Sequence, residues 1–280
     1  MMQNDKEFEF TRDDFDYLRK IVTDTTGILA DDDKYSMFYS RLARRVRKLG
    51  LKNFSEYRSY LNSNRGSESI ELVNSVTTNL TAFFRENHHF DFIKDTIVPE
   101  LKLRGTKKIR IWSAGCSTGE EPYSIAITLA EAIPDYKNWD IKILATDIDS
   151  YVVNKASSAV YDLNRVDSIN KTLLNKYFKK GTGDSSGFVK VNPELVKMID
   201  FKQLNLLHNW PISDTMDFIF CRNVVIYFDK PTKNKLVERY AELMIDEGYL
   251  FMGHSESLYK STEKFHLLGK TIYQKTGKVT

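Results

Sequence analysis

The pattern of apolar residues changes near residue 105, and that change does most to limit how this chain can fold. Up to about residue 104 the spacing is helical, predicting helices at 11–23, 34–49, 54–62, 67–79 and 87–103. Gly50 and the polar run 62–66 (NSNRG) separate them. Beyond residue 105, short apolar runs at 109–114, 141–146, 218–221 and 249–253 read as strands, and 121–133 reads as a helix. Strands alternating with helices build a parallel sheet covered on both faces. The expected fold is an all-α domain followed by an α/β domain.

One block breaks that rhythm. The stretch 179–204 (KKGTGDSSGFVKVNPELVKMIDFKQL) holds glycines, a turn-rich Asp-Ser-Ser-Gly and two alternating runs. It predicts an antiparallel hairpin inserted after a helix at 167–178. Such a hairpin is either a plain surface element or an edge that accepts a partner peptide as an added strand.

The segment 109–124 (IRIWSAGCSTGEEPYS) carries the strongest chemical signal. A strand runs into a loop of small residues, and a helix opens near Glu120. Ala114, Gly115, Ser117 and Gly119 let a ligand approach the backbone, and the helix N-terminus offers free N–H groups. No Gly-Lys-Ser/Thr follows and no GxGxxG is present, which counts against a phosphate as the main ligand and against a nicotinamide dehydrogenase. Thr118 and Glu121 also have the spacing of a helix capping box.

The next strand ends in ATDID, with Asp147 at its C-terminal end. An acid there commonly accepts ribose hydroxyls of an adenosine, while Asp149 is the alternative or a helix cap. The strand within DFIFCRNVVIYFD sets Asn223 and Tyr227 at the same sheet edge. Loops after three strands thus converge on one crevice.

Charge and cysteine content exclude several classes. The net charge is +3, so nucleic acid is not an expected partner of the whole chain. Cys116 and Cys221 sit in no ligand pattern, which argues against a disulfide scaffold and a structural zinc. His88 and His89 are adjacent and on a helix point roughly 100° apart; His208 and His266 are scattered, and His254 is expected to pack near the last strands. No metal is expected. The opening MMQNDKEFEF has no apolar segment, and no run approaches the roughly 18 apolar residues of a membrane span. A soluble, cytoplasmic monomer without membrane insertion is the expectation.

Residues 34–58 are strongly basic, with Glu56 the one acid. Arg41, Arg44, Arg45 and Lys48 follow i, i+3, i+4, i+7 and share a helix face, beside an apolar face of Phe38, Leu42, Val46 and Leu49. The basic face is either solvated or meets an acidic partner; nucleic acid is disfavoured because no recognition module accompanies it.

Residues 109–147 with CRNVVIYF (221–228) resemble the class I S-adenosylmethionine-dependent methyltransferases. With TTNLTAFFRENHHF (77–90), SAGCSTGEEPYS (113–124), ATDID (145–149) and GHSES (253–257), the chain resembles the chemotaxis receptor methyltransferases of the CheR family, over about residues 8 to 276. Cys116 follows Gly115 where the family more often has a small residue such as Ala.

The resemblance implies a helical N-terminal receptor-recognition domain with its linker at 1–87 and a Rossmann-like methyltransferase domain at 88–280, carrying a small antiparallel β-subdomain at about 180–204. It implies transfer of a methyl group from S-adenosylmethionine to glutamate side chains on cytoplasmic chemoreceptor helices, leaving S-adenosylhomocysteine. Carried over by position, the cofactor contacts are Asn79, Thr81, Arg85, Gly115, Glu121, Asp147, Asn205, Leu206, Asn223 and Val224.

Arg85 and Tyr227 are the implied catalytic residues, Tyr227 lying near the transferred methyl group. Arg85 suits a carboxylate, either the cofactor's or the substrate's, or else forms a structural salt bridge. Tyr227 orients the nucleophile or is a half-buried core residue, and Asn205 and Asn223 contact the cofactor or serve as turn residues. Arg41, Arg44, Arg45 and Lys48 would meet the receptor. In some members the β-subdomain takes up a C-terminal receptor peptide, and the glycine loop at 181–187 resembles that type. A methyltransferase for a small molecule or RNA, and a non-catalytic cofactor-sensing module, are the competing readings.

Overall fold

A computed structural model describes residues 7–258 and 262–277. Most of the polar opening segment, residues 1–6, lies outside the described residues. The chain divides into two compact units, one reaching to Thr78 and taking in Tyr227–Thr232, the other formed by Asn79–Ile226 and the remainder from Lys233.

Among the described residues up to Thr78, the first unit has the α-helices α1 (Arg12–Thr26), α2 (Tyr35–Lys48), α3 (Phe54–Ser63) and α4 (Arg65–Val76). Thr11 and Asp14 close a capping box at the start of α1, and Gly27 ends it with φ 72°, a conformation that glycine adopts without penalty. Each helix turns a stripe inward: Phe15, Leu18 and Val22; Phe38, Leu42 and Val46; Phe54, Tyr57 and Leu61; and Leu72. Burying each of these side chains contributes roughly 1.5–3 kcal/mol before the entropy cost of ordering it.

The basic face of α2 is not uniformly free. The Arg41 guanidinium donates to the carbonyls of Val76 and Thr77 at 2.8 and 2.6 Å, capping the end of α4. Arg45 turns inward and grips Glu68 with two bonds of 2.9 and 2.6 Å, and also pairs with Glu71 at 3.0 Å. Glu68 is buried and also accepts from the Tyr57 hydroxyl. Arg44 and Lys48 are exposed. Two of the four side chains read from spacing as one basic face are thus engaged within the unit: helical periodicity finds the face but not the carbonyls and acids of another helix that claim part of it.

The second unit opens with α5 (His88–Phe92), which runs through a π-turn (Ile93–Ile97) into α6 (Val98–Leu103). The π-turn precedes Pro99, which has no N–H for a helical bond. There follow β1 (Lys108–Ser113), α7 (Glu120–Ala132), β2 (Asp140–Asp147), α8 (Ser150–Ser158), β3 (Val160–Asp162), α9 (Lys171–Tyr177), β4 (Phe178–Lys180), β5 (Phe188–Val191) and α10 (Pro193–Val196). The remaining elements are β6 (Ile199–Gln203), β7 (Met216–Cys221), α11 (Lys230–Leu243), β8 (Met244–Met252), β9 (Phe265–Gly269) and β10 (Ile272–Lys275).

The large sheet has the order β6-β2-β1-β7-β8-β10-β9. Its first five strands are parallel, and β10 runs antiparallel to both β8 and β9. The register sets Ser113 beside Ala145 and Phe220, so β1 and β7 end close together while β2 runs two residues further, to Asp147. β1 and β7 are almost wholly buried, which is why they read as unbroken apolar runs.

The small sheet, ordered β3-β5-β4, differs from the expected hairpin. Phe188–Val191 pairs antiparallel with both Phe178–Lys180 and Val160–Asp162. The second run of the expected hairpin is instead β6, an edge strand of the large sheet running parallel to β2. Being half exposed, it alternates like a hairpin strand. Residues 79–87, expected to end a linker, group with the second unit because Phe83 enters its core and the Phe84 amide bonds to Ser124. No helix of the described residues is long and apolar enough to cross a membrane.

Candidate active site

Strand order reverses at β1, with β2 on one side and β7 on the other. In an open α/β sheet, ligands bind outside the carboxyl ends of the strands at such a point. Three loops leave the sheet there, after Ser113, Asp147 and Cys221.

The loop after β1 is fixed by backbone bonds to its neighbours. The Ala114 amide donates to Phe220 O at 2.7 Å and that of Cys116 to Thr146 O at 2.9 Å. Ser117 has φ 46° and Gly119 φ 97°. A Cβ on Gly115 would stand 2.4 Å from Val224 Cγ2, and one on Gly119 would stand 2.7 Å from the Tyr161 hydroxyl. Both positions need glycine, the first for close approach and the second also for its backbone. The expected capping box is absent: Gly119 is the N-cap of α7 and makes no side-chain cap bond. Thr118 bonds Glu120 at 2.6 Å, while Glu121 turns inward and accepts from the Ser113 hydroxyl at 2.7 Å.

Asp147 ends β2 with its carboxylate against the first loop. Oδ2 accepts from the Ser117 amide at 2.8 Å and Oδ1 from the Asp149 amide at 3.1 Å. Burial pushes its pKa up to about 6, against the pull of those amides. Asp149 caps α8 through the amides of Tyr151 and Val152, and accepts from Asn79 Nδ2 at 2.8 Å. The Asn79 carbonyl in turn accepts from Ser117 Oγ at 3.2 Å. Thr81 O accepts from Arg165, which also pairs with the buried Glu120.

Arg85 lies between Phe84 and Glu86, with φ 55° and 57°. These are sparsely populated conformations for such residues, and they shape a tight turn. Its guanidinium is partly exposed and donates to Leu80 O at 2.9 Å. Beyond β6, Asn205 Oδ1 accepts from the Leu207 amide at 2.9 Å, making an Asx turn. Leu206 is buried, and its carbonyl takes bonds from Trp210 and Arg239. Asn223 has φ 58° in the loop after β7, and Tyr227 closes the short turn Val225–Tyr227 that continues it.

Sequence reasoning missed the charged frame beneath these residues. Arg222 is buried and donates to Glu121 Oε2 at 3.2 Å and to the Arg85 carbonyl, and it stands 3.4 Å from Glu86. Glu121 is held toward its neutral form by burial, and Arg222 opposes that shift. A charge placed directly after the buried run FIFC was the one available signal for Arg222.

The histidines also depart from expectation. His88 and His89 do not splay apart; both Nε2 atoms stand 3.1 Å from Lys270 O. Burial drives His89 down to about 3, so it is neutral at ordinary pH. His254 is mostly exposed and contacts Glu86 Oε1 at 3.2 Å. Glu86, His88 and His89 bring possible ligand atoms within 4.8 Å of one another, with the Arg222 cation beside Glu86.

Comparison with known proteins agrees with this geometry. Residues 13–77 match the family model described as CheR methyltransferase, all-alpha domain, and residues 79–274 match CheR methyltransferase, SAM binding domain. The chain is 44% identical to chemotaxis protein methyltransferase 2 of Pseudomonas aeruginosa, over 96% of this chain and 95% of that protein. It is 43% identical to the chemotaxis protein methyltransferase of Salmonella typhimurium, over 91% and 87%, and 42% identical to that of Escherichia coli, over 92% and 89%. With both parts of the chain matched, and matched in the family's own order, the chain belongs to the CheR methyltransferase family of S-adenosylmethionine-dependent chemotaxis enzymes.

Proposed function

We propose that this chain methylates glutamate carboxylates of chemoreceptors, with the crevice above β1, β2 and β7 as the site of transfer. The observation that carries this reading is the convergence of the Gly115 loop, Asp147 and the Asn223–Val224 loop at the point where strand order reverses.

The donor set suits S-adenosylmethionine. The Asp147 carboxylate accepts from the backbone amides of Ser117, Asp149 and Ile148, and its remaining lone-pair capacity suits a ribose hydroxyl. Gly115 leaves bare backbone under Val224. Asn79, Thr81, Glu121, Asn205, Leu206, Asn223 and Val224 complete the proposed contacts. When bound, S-adenosylmethionine supplies an electrophilic methyl group on a positive sulfur.

The chain's own residues then have a limited task. A glutamate near its reference pKa of about 4.3 is already anionic at neutral pH, so no strong base is needed. Arg85 holds a carboxylate with its planar fork, and Tyr227 orients the incoming oxygen by a hydrogen bond. Alignment of two reactants can supply roughly 7–11 kcal/mol of barrier lowering.

Arg44 and Lys48, with Arg41 and Arg45 fixing the helix that carries them, are proposed to steer acidic receptor helices onto the first unit. The 181–187 loop and small sheet are proposed to take a receptor tail peptide. The test is methyl transfer from labelled S-adenosylmethionine onto chemoreceptor-bearing membranes. Base-labile label on receptor glutamate is expected; label on RNA or a small molecule alone contradicts the reading.

A further inference from the structure

Glu256 lies in the segment after β8 and is 3% exposed. Its carboxylate serves backbone amides. Oε2 accepts from the Asn223 amide at 2.7 Å and from the Gly253 amide at 2.6 Å, and Oε1 accepts from the Ile226 amide at 3.2 Å. Two of these amides belong to the loop after β7. Asn223, the second residue of that loop, stands in the left-handed region, and an unpartnered amide there would be costly once buried.

Gly253 makes the contact possible. A Cβ at this position would fall 2.5 Å from Asn223 Nδ2 and 2.9 Å from the Asn223 nitrogen. The next residue along that loop, Val224, covers Gly115 in the loop after β1. A chain of contacts therefore runs from Glu256 through the 223–226 loop to the cradle.

We propose that Glu256 is a positioning residue for methyl transfer: by gathering the amides of Asn223, Gly253 and Ile226 it fixes the loop against which the cofactor is held. The assignment rests on the cofactor reading of the crevice. Gly253 is its companion, because only a residue without a side chain lets the two loops meet.

The experiment measures S-adenosylhomocysteine affinity and methylation kinetics for the wild type, Glu256→Gln, Glu256→Asp and Gly253→Ala. Glutamine puts a donor where the loop already presents donors, so a dissociation constant raised at least tenfold is expected. The KM for S-adenosylmethionine should rise in parallel, with kcat within about threefold. Glu256→Asp keeps the charge and should recover part of the affinity. Gly253→Ala, whose Cβ would fall 2.8 Å from Glu256 Oε2 and 2.9 Å from the Asn223 nitrogen, should reproduce the KM effect by wedging the same contact apart while the carboxylate itself is retained. A variant that is merely less stable would lose kcat through its folded fraction and keep its KM.

If Glu256→Gln does not fold, Gly253→Ala carries the kinetic test. Amide exchange on the ligand-free wild type adds a second measurement, with at least 100-fold protection expected at Asn223, Gly253 and Ile226. Unchanged KM in folded variants, or free exchange at these amides, overturns the proposal. A wild type that binds no S-adenosylhomocysteine overturns the reading of the crevice itself, a result distinct from intact binding that the variants leave unaltered.

Discussion

On the proposed reading of the crevice, the protonation of Asp147 bears directly on cofactor binding. Burial raises its pKa to about 6, although the amides of Asp149, Ser117 and Ile148 favour the anion. A raised carboxylate pKa means that its contribution to folding stability is fully present below the unfolded value of about 3.9 and is lost as pH rises through about 6. Ligand binding runs the other way, because the anion is the better acceptor for hydroxyls. S-adenosylhomocysteine affinity should therefore strengthen as pH climbs from 5 to 7, and Asp147→Asn should flatten that step and weaken binding about tenfold. Calorimetric titrations across this range check it; a flat wild-type profile contradicts it. Arg222 makes a second residue-level prediction. Removing a buried guanidinium strands Glu121 and Glu86, so Arg222→Ala should lower stability by about 3 kcal/mol in urea unfolding, and a loss below 1 kcal/mol would contradict the charged frame. The position of Asp147 at the end of β2 was legible because the apolar run before it marks the strand. Arg222 was not, since its partners lie 101 residues away at Glu121 and 137 away at Arg85.

At the scale of elements, legibility followed burial. β1 and β7 declare themselves as apolar runs because both faces are covered. β6 was misassigned because a half-exposed parallel edge strand alternates just as a hairpin strand does. The same local blindness made Thr118 and Glu121 look like a cap, when the serine that engages Glu121 sits at the end of β1. α2 carries a prediction of its own. Reversing Arg44 and Lys48, both exposed, should slow receptor methylation about tenfold while S-adenosylhomocysteine affinity stays within twofold. Raising salt should shrink the difference, since steering between exposed charges is screened. Equal loss of both properties in a folded variant would remove α2 from receptor recognition. For the small sheet, titration with receptor tail peptides should show saturable binding that leaves cofactor affinity unchanged, and no binding at millimolar peptide would exclude that role.

At the scale of the whole molecule, the change of pattern near residue 105 correctly announced helices first and an α/β sheet after them. Family membership then joins that architecture to a reaction: both parts of the chain match, and the relatives match over most of their own length. The sheet fixes the loops at its reversal point, where the transfer is proposed to take place. We propose that a methyl group passes from S-adenosylmethionine to a receptor carboxylate at this crevice. The most direct test follows labelled methyl from S-adenosylmethionine into chemoreceptor membranes, beside Arg85→Ala as the control. Base-labile label on receptor glutamates is expected, falling at least 100-fold in the control. Full-length enzyme that binds S-adenosylhomocysteine yet leaves the receptors unlabelled would contradict it.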